Sequence, residues 1–157
     1  MQTPYVPEVD VLIAVAKWLY SSGWQLEKVS TRNKYKVKTE FTAVGISINN
    51  IEFRREGEDI RARQGDNLWR IECKGLTSGK PETVKNNFDR AVASTVSYYI
   101  QSDGLRLGLA LPDDEYYLRL LRNKVPQALR VVINLWIFLY LARDEVLVCA
   151  PDEELPL

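Results

Sequence analysis

Asp59, Glu72 and Lys74 have the types and spacing that metal-assisted hydrolysis needs. Between them lies Gln64-Gly65-Asp66-Asn67, with glycine first at the centre, the favoured composition for a two-residue hairpin of type II′. Counting outward from that tip, Arg63 faces Leu68, Ala62 faces Trp69, Arg61 faces Arg70, Ile60 faces Ile71 and Asp59 faces Glu72. This register gathers Ile60, Ala62, Trp69, Ile71 and Cys73 on one apolar face and leaves Asp59, Glu72 and Lys74 on the other. A slip of one residue would bury charges, which is why the pattern specifies the register. Asp59 and Glu72 then form a non-hydrogen-bonded pair with Cα atoms about 4.5 Å apart. Like charges directly opposite each other are destabilising. A divalent cation between them removes the conflict, and magnesium typically takes one or two carboxylates and keeps several waters. Lys74, two residues on and on the same face, lies within reach of a phosphate oxygen. The set suits phosphodiester hydrolysis, with the cation acidifying water and the lysine stabilising charge. The competing reading is a solvated hairpin face; the turn register, the flanking apolar residues and the following helix together favour the site.

The rest of the composition narrows the chemistry. The chain contains no histidine, which excludes Ser-His and Cys-His nucleophilic catalysis and histidine general bases. Oxygen ligands remain, and these favour Mg2+, Mn2+ or calcium. Cys73 and Cys149 have no metal-ligand spacing and read as buried thiols. Net charge is zero, yet residues 28–74 hold eleven Lys/Arg against seven Asp/Glu, so a basic middle faces an acidic end. Arg32, Lys34, Lys36 and Lys38, together with Lys28, are either a solvated strand face or a surface that tracks nucleic-acid phosphates.

The elements that must position these residues follow from periodicity. Pro7 to Ser22 reads as a helix, with Val9, Leu12, Ile13, Ala16, Leu19 and Tyr20 on one stripe and Gly23 as the stop. Trp24 to Val29 suits a strand. Tyr35, Val37, Thr39 and Phe41 alternate with Lys34, Lys36, Lys38 and Glu40, so residues 30–53 read as an extra hairpin or strand pair. The Asp59–Lys74 hairpin follows. Pro81 to Gln101 reads as a second helix and Leu105 to Leu111 as a strand. Short helices are expected over Asp113–Asn123 and Pro126–Ile133, and final strands over Leu135–Leu141 and Val146–Cys149. At 157 residues, with no repeat or linker, the chain is expected to form one domain over 1–157, an α/β fold with a mixed sheet flanked by helices. No apolar run has the length of a membrane span and the start does not resemble a secretory signal, so the expected location is the cytoplasm.

Glu58-Asp59-Ile60 and Ile71-Glu72-Cys73-Lys74-Gly75 resemble the motif of the PD-(D/E)XK phosphodiesterase superfamily of restriction enzymes, junction resolvases and repair nucleases. The resemblance implies a restriction endonuclease-like core, αβββαβ, from Pro7 to Leu111 with C-terminal additions at the sheet edge. It implies Asp59, Glu72 and the Cys73 carbonyl as metal ligands, Lys74 as catalytic lysine, and Mg2+ or Mn2+ as cofactor. Glu8 is the nearest match to an extra acid that some members carry on the first helix. Ser94 and Tyr98 stand where others have Gln-x-x-x-Tyr, so the glutamine is missing, and Glu58 replaces the usual proline. The implied activity is an endonuclease acting on nucleic acid, DNA in the first instance; dimerisation is common among members that cut both strands. The alternative is a catalytically inactive nuclease-like domain that binds nucleic acid or a protein partner. Gly75 to Lys80 is one residue short of a phosphate-binding loop, and Pro81 replaces its Ser/Thr. It reads as a strand-to-helix connection whose Thr77, Ser78 and Lys80 are candidates for touching a DNA backbone.

Overall fold

The computed structural model describes residues 5–77 and 79–156. Its elements run α1 (Glu8–Ser21), β1 (Gln25–Val29), α2 (Lys34–Ala43), β2 (Glu52–Phe53), β3 (Ile60–Gln64), β4 (Asn67–Cys73), α3 (Pro81–Ser97), β5 (Leu105–Pro112), α4 (Glu115–Lys124), α5 (Gln127–Ile133), β6 (Leu135–Ala142) and β7 (Glu145–Cys149). Gly65, at φ +60°, makes the tip of the β3–β4 hairpin. The pairs Gln64–Asn67, Arg63–Leu68, Ala62–Trp69, Arg61–Arg70 and Ile60–Ile71 are those counted from the sequence. The ladder stops there. It does not continue to an Asp59–Glu72 strand pair, because the Asp59 N–H turns to the Ile71 carbonyl at 3.0 Å and the chain leaves the sheet.

The strands form a mixed α/β sheet of seven in the order β2-β1-β3-β4-β5-β6-β7. β3 lies antiparallel to both its neighbours, β1 and β4; β5 lies parallel to β4, and β6 parallel to β5. A parallel neighbour requires a crossover, and α3 supplies it between β4 and β5. Helices cover both faces. On one, α1 buries Val11, Leu12, Val15, Ala16 and Leu19 against Ile60, Ala62, Trp69, Ile71 and Cys73. On the other, Val84, Phe88 and Ala91 of α3 and Tyr117, Leu118 and Leu121 of α4 pack on Leu105, Leu107, Leu109 and Leu111. At the hairpin end of the sheet Trp69 meets Trp24, Trp136 and Phe138 edge-on, with ring centroids 5.2–5.9 Å apart. The Arg106 guanidinium lies over all three indoles at 5.2–5.6 Å. Trp69 Nε1 is buried with no hydrogen-bond partner among the described residues. Among those residues no helix is long and apolar enough to cross a membrane.

Residues 30–53 depart from expectation. In place of a hairpin they form α2 and the two-residue β2, which pairs parallel to β1. The alternation that suggested a strand is misleading, because Val37 and Phe41 are also one helical turn apart, and only these two of the alternating four are buried. Asn33 caps the helix, its side chain accepting from the Lys36 N–H at 3.3 Å. Two ion pairs fasten α2 to α1 or its neighbours: Lys36 with Asp10 at 2.6 Å, and Lys17 with Glu40 at 3.0 Å. α3 ends at Ser97, four residues short of the expected Gln101, with Tyr98 as its cap.

Phe41→Ala should lower the free energy of unfolding by about 3–5 kcal/mol, the cost of emptying an aromatic site in a core. Tyr35 is 83% exposed, and Tyr35→Ala should shift stability by no more than about 0.5 kcal/mol. Urea denaturation of the two variants checks this; equal losses would contradict the helix, since a strand puts both side chains on one face.

Candidate active site

β4 outruns its partner β3, which ends at Ile60, so the Cys73 N–H on that side has no backbone acceptor in the ladder. The Asp59 carboxylate takes the place of the missing strand: its Oδ2 accepts the Cys73 N–H at 2.8 Å. In an extended strand the N–H and C=O of one residue point to the same edge, so the Cys73 carbonyl is directed toward Asp59 as well. Burial, and then the nearby charge of Glu72, push the Asp59 carboxyl up to about 8. Glu72 is 8% exposed, and burial raises its carboxyl too, against a hydrogen bond from Tyr98 and the charge of Lys74. Its Oε1 accepts the Tyr98 hydroxyl at 2.5 Å. Burial and this contact lift the phenol far above its ordinary value, so Tyr98 stays a donor. Asp59 Oδ1 and Glu72 Oε2 accept no hydrogen bond among the described residues.

Lys74 follows β4, and its ammonium lies 3.7 Å from Glu8 Oε1. The next residue brings these two together. A Cβ on Gly75 would stand 2.3 Å from the Val6 carbonyl and 2.6 Å from the Glu8 nitrogen. Only glycine lets the chain after Lys74 press against the start of α1 there. Paired backbone bonds between Val6 and Leu76, both 2.8 Å, secure the approach. Glu8 thus borders the site, and its charge adds to the upward shift of both Asp59 and Glu72.

A second tier of charges was not foreseen. Glu58, at the position of the motif's proline, is 2% exposed, and Arg70 grips it with two bonds of 3.1 Å. Burial works to raise this carboxyl, but Arg70 and Lys28 overcome it and hold Glu58 below its usual range. Lys28 is 3% exposed and donates to the Glu58 carbonyl at 2.7 Å and to the Glu56 carbonyl. Arg70 also stacks on the Tyr98 ring at 4.5 Å. The row Lys28–Glu58–Arg70–Tyr98 therefore ends on Glu72. Its signal in the sequence was the placement of single charges on neighbouring strands at the motif's own positions.

Other candidates scatter. Lys28 is buried and unavailable to a phosphate. On the α2 helix Lys36 points away from Lys34 and Lys38, which are one turn apart: Lys36 pairs with Asp10, Lys38 lies over the Phe53 ring at 5.0 Å, and Lys34 is exposed. Residues two apart on a helix point in different directions, so the strand-like basic stripe does not exist. Arg32 is exposed in a cleft beside Asp59. Ser94 is half-buried one turn before Tyr98, and its side chain makes no hydrogen bond among the described residues. Thr77 and Lys80 are exposed, and Ser78 lies outside the described residues. Both thiols are free and buried; burial pushes that of Cys73 well above its ordinary value, which leaves it no role as a nucleophile.

Among the described residues no three His, Cys, Asp or Glu side chains gather into a metal-holding group. Two carboxylates do suffice for an ion that keeps several waters, as magnesium does. The donors present fit such an ion: two repelling carboxylates, each with one oxygen lacking a protein partner, and the Cys73 carbonyl directed at the same edge. No family model, no curated protein and no solved structure matches the chain.

The shift on Asp59 sets a pH dependence. Its carboxyl is protonated in both states below about pH 4; from there to about pH 8 the unfolded chain loses the proton while the folded chain keeps it. Stability is lost as pH rises through that window. In metal-free buffer, thermal melting of wild type and Asp59→Asn should diverge in favour of the variant from pH 4 to pH 8 and then run level. A constant gap would contradict the assignment.

Proposed function

We propose that this chain is a metal-dependent nuclease of the PD-(D/E)XK, restriction endonuclease-like superfamily, hydrolysing phosphodiester bonds of DNA. The observation that carries the reading is the pair of mutually repelling carboxylates, half-buried Asp59 and buried Glu72, at the open end of a hairpin whose next charged residue is Lys74. The order of elements supports it: α1, β1, β3, β4, α3 and β5 follow the helix, three strands, helix, strand sequence of that core. α2 with β2 would then be an insertion after the first core strand, and α4 to β7 an extension of the sheet.

Mg2+ or Mn2+ would be held by Asp59, Glu72 and the Cys73 carbonyl, and when bound it acidifies water and offsets phosphate charge. The chain's own residues do the rest. Asp59 is kept in place by the Cys73 N–H and Glu72 by the Tyr98 hydroxyl, so neither carboxylate needs to reorganise on binding. Lys74 is partly exposed, with Glu8 holding its ammonium at the site's edge. There it donates to the phosphate as negative charge builds up, while a water oxygen bonds to phosphorus and the bond to the leaving oxygen breaks.

Nicking of supercoiled plasmid in magnesium or manganese tests the reading. Glu72→Ala and Lys74→Ala should each lose at least about a hundredfold in rate, and activity that survives both would refute it. Metal and DNA binding without cutting would instead favour an inactive binding domain. Tyr98→Phe removes the donor to Glu72 and should weaken Mn2+ binding about tenfold, as measured by calorimetric titration. An unchanged affinity would show that Tyr98 does not position the ligand.

A further inference from the structure

Glu8, Ser30, Thr31, Arg32, Arg55 and Asp59 line one cleft, which opens directly beside the candidate catalytic carboxylate. Two loops build it. The first follows β1 and is tied to Asp59 itself, the Ser30 N–H donating to the Asp59 carbonyl at 2.8 Å. The second follows β2: the Arg54 N–H donates to the Val29 carbonyl at 3.2 Å, and the buried Lys28 ammonium gathers the Glu56 and Glu58 carbonyls. Both loops are thereby anchored to the end of β1, and each carries an arginine into the cleft.

Those arginines stand out by what they lack. Arg32 and Arg55 are exposed and make no ion pair or side-chain hydrogen bond among the described residues. Most of the chain's other arginines are engaged. Arg54, Arg61, Arg63, Arg70, Arg119 and Arg143 meet carboxylates. Arg106 lies on indole rings, and Arg122 and Arg130 reach carbonyls. Arg90, on α3 across the sheet, resembles the cleft pair in having no such partner. The Thr31 hydroxyl accepts the Asn33 N–H at 3.1 Å and keeps its own proton to donate. Two guanidiniums and two hydroxyls are donors suited to a phosphate, arginine being the side chain with fixed, forked geometry for it. The acids of the cleft, Glu8 and Asp59, belong to the candidate catalytic site, where Lys74 pairs with Glu8 at 3.7 Å.

We propose that this cleft is a phosphate subsite, in which Arg32 and Arg55 clamp the DNA backbone phosphate adjacent to the one cleaved. The proposal rests on the nuclease reading for which phosphate is cut, but not for binding itself. It names Arg55, in a loop that carries no motif, as a substrate contact, and gives the substrate strand a direction past Asp59 toward the β2 edge.

Binding of a short, labelled single strand of DNA in EDTA isolates the subsite from catalysis. The double variant Arg32→Ala/Arg55→Ala should bind at least tenfold more weakly, and its log–log salt dependence should flatten by about 0.7 for each phosphate released. Arg90→Ala removes the same kind of unpaired charge elsewhere and should change affinity less than twofold. Equal losses in the two proteins, or none in the double variant, overturn the proposal. Both cleft side chains are exposed, and circular dichroism should confirm that the double variant folds. In a cutting assay the same variant should raise KM with kcat nearly kept, as lost uniform binding requires. A wild-type chain that binds through these arginines yet never cuts refutes the nuclease reading and leaves the subsite standing. One that cuts equally well without them does the reverse.

Discussion

A backbone N–H at the end of a strand must be given an acceptor, and the site depends on how this one is given it. β3 stops two residues before β4 does, and the Cys73 amide would face an empty position in the sheet. A carboxylate fills that position in place of a carbonyl. An acid is thereby drawn into a partly buried edge beside Glu72, where folding alone does not favour its ionised form. The cost falls on stability in the absence of a cation, and the benefit is a pair of oxygens already fixed in place when one arrives. Pre-positioning of this kind is what distinguishes a site from an accidental cluster of surface acids.

The charges behind the carboxylates serve a different end. Glu58 is as buried as the aliphatic core, and it is tolerated because Arg70 and Lys28 together match its charge and its hydrogen-bonding capacity. Removing one member of such a group leaves an uncompensated buried charge, which is costlier than never having had the pair. The group also has direction: Arg70 faces Glu58 on one side and the Tyr98 ring on the other, so the orientation of the phenol that holds Glu72 is set from β1 inward.

Where the sequence was legible, the reason is local. The hairpin register could be counted because Gly65-Asp66 specifies the turn and the apolar residues alternate cleanly around it. Helices α1 and α3 and the strand β5 were visible from long stripes or runs. Asp59 is the instructive miss, because counting pairs assumes that a ladder continues until a breaker appears. Here it ends at Ile60, before the left-handed Gly57 is reached, the acid itself replacing the strand. α2 was misread because lysine and tyrosine tolerate either state, and the decision fell to Val37 and Phe41 finding a place against α1. That is a tertiary effect which no window of sequence contains. The cleft arginines were half legible: Arg32 belonged to a visible basic run, whereas Arg55 joins it only through the pairing of β2 with β1.

One strand holds both the aromatic knot and the acidic edge. β4 carries the knot of indoles around Trp69 and finishes at Glu72 and Cys73, with Arg70 and Ile71 between. Trp24, Trp69 and Trp136 are near enough for their electronic transitions to mix, and a guanidinium lies over them. The molecule thus carries an intrinsic optical label on the strand that also carries its chemistry, three residues along β4 from Glu72. Tryptophan emission and near-ultraviolet ellipticity therefore follow the integrity of the packed interior, to which Trp18 also belongs through its contact with Phe138.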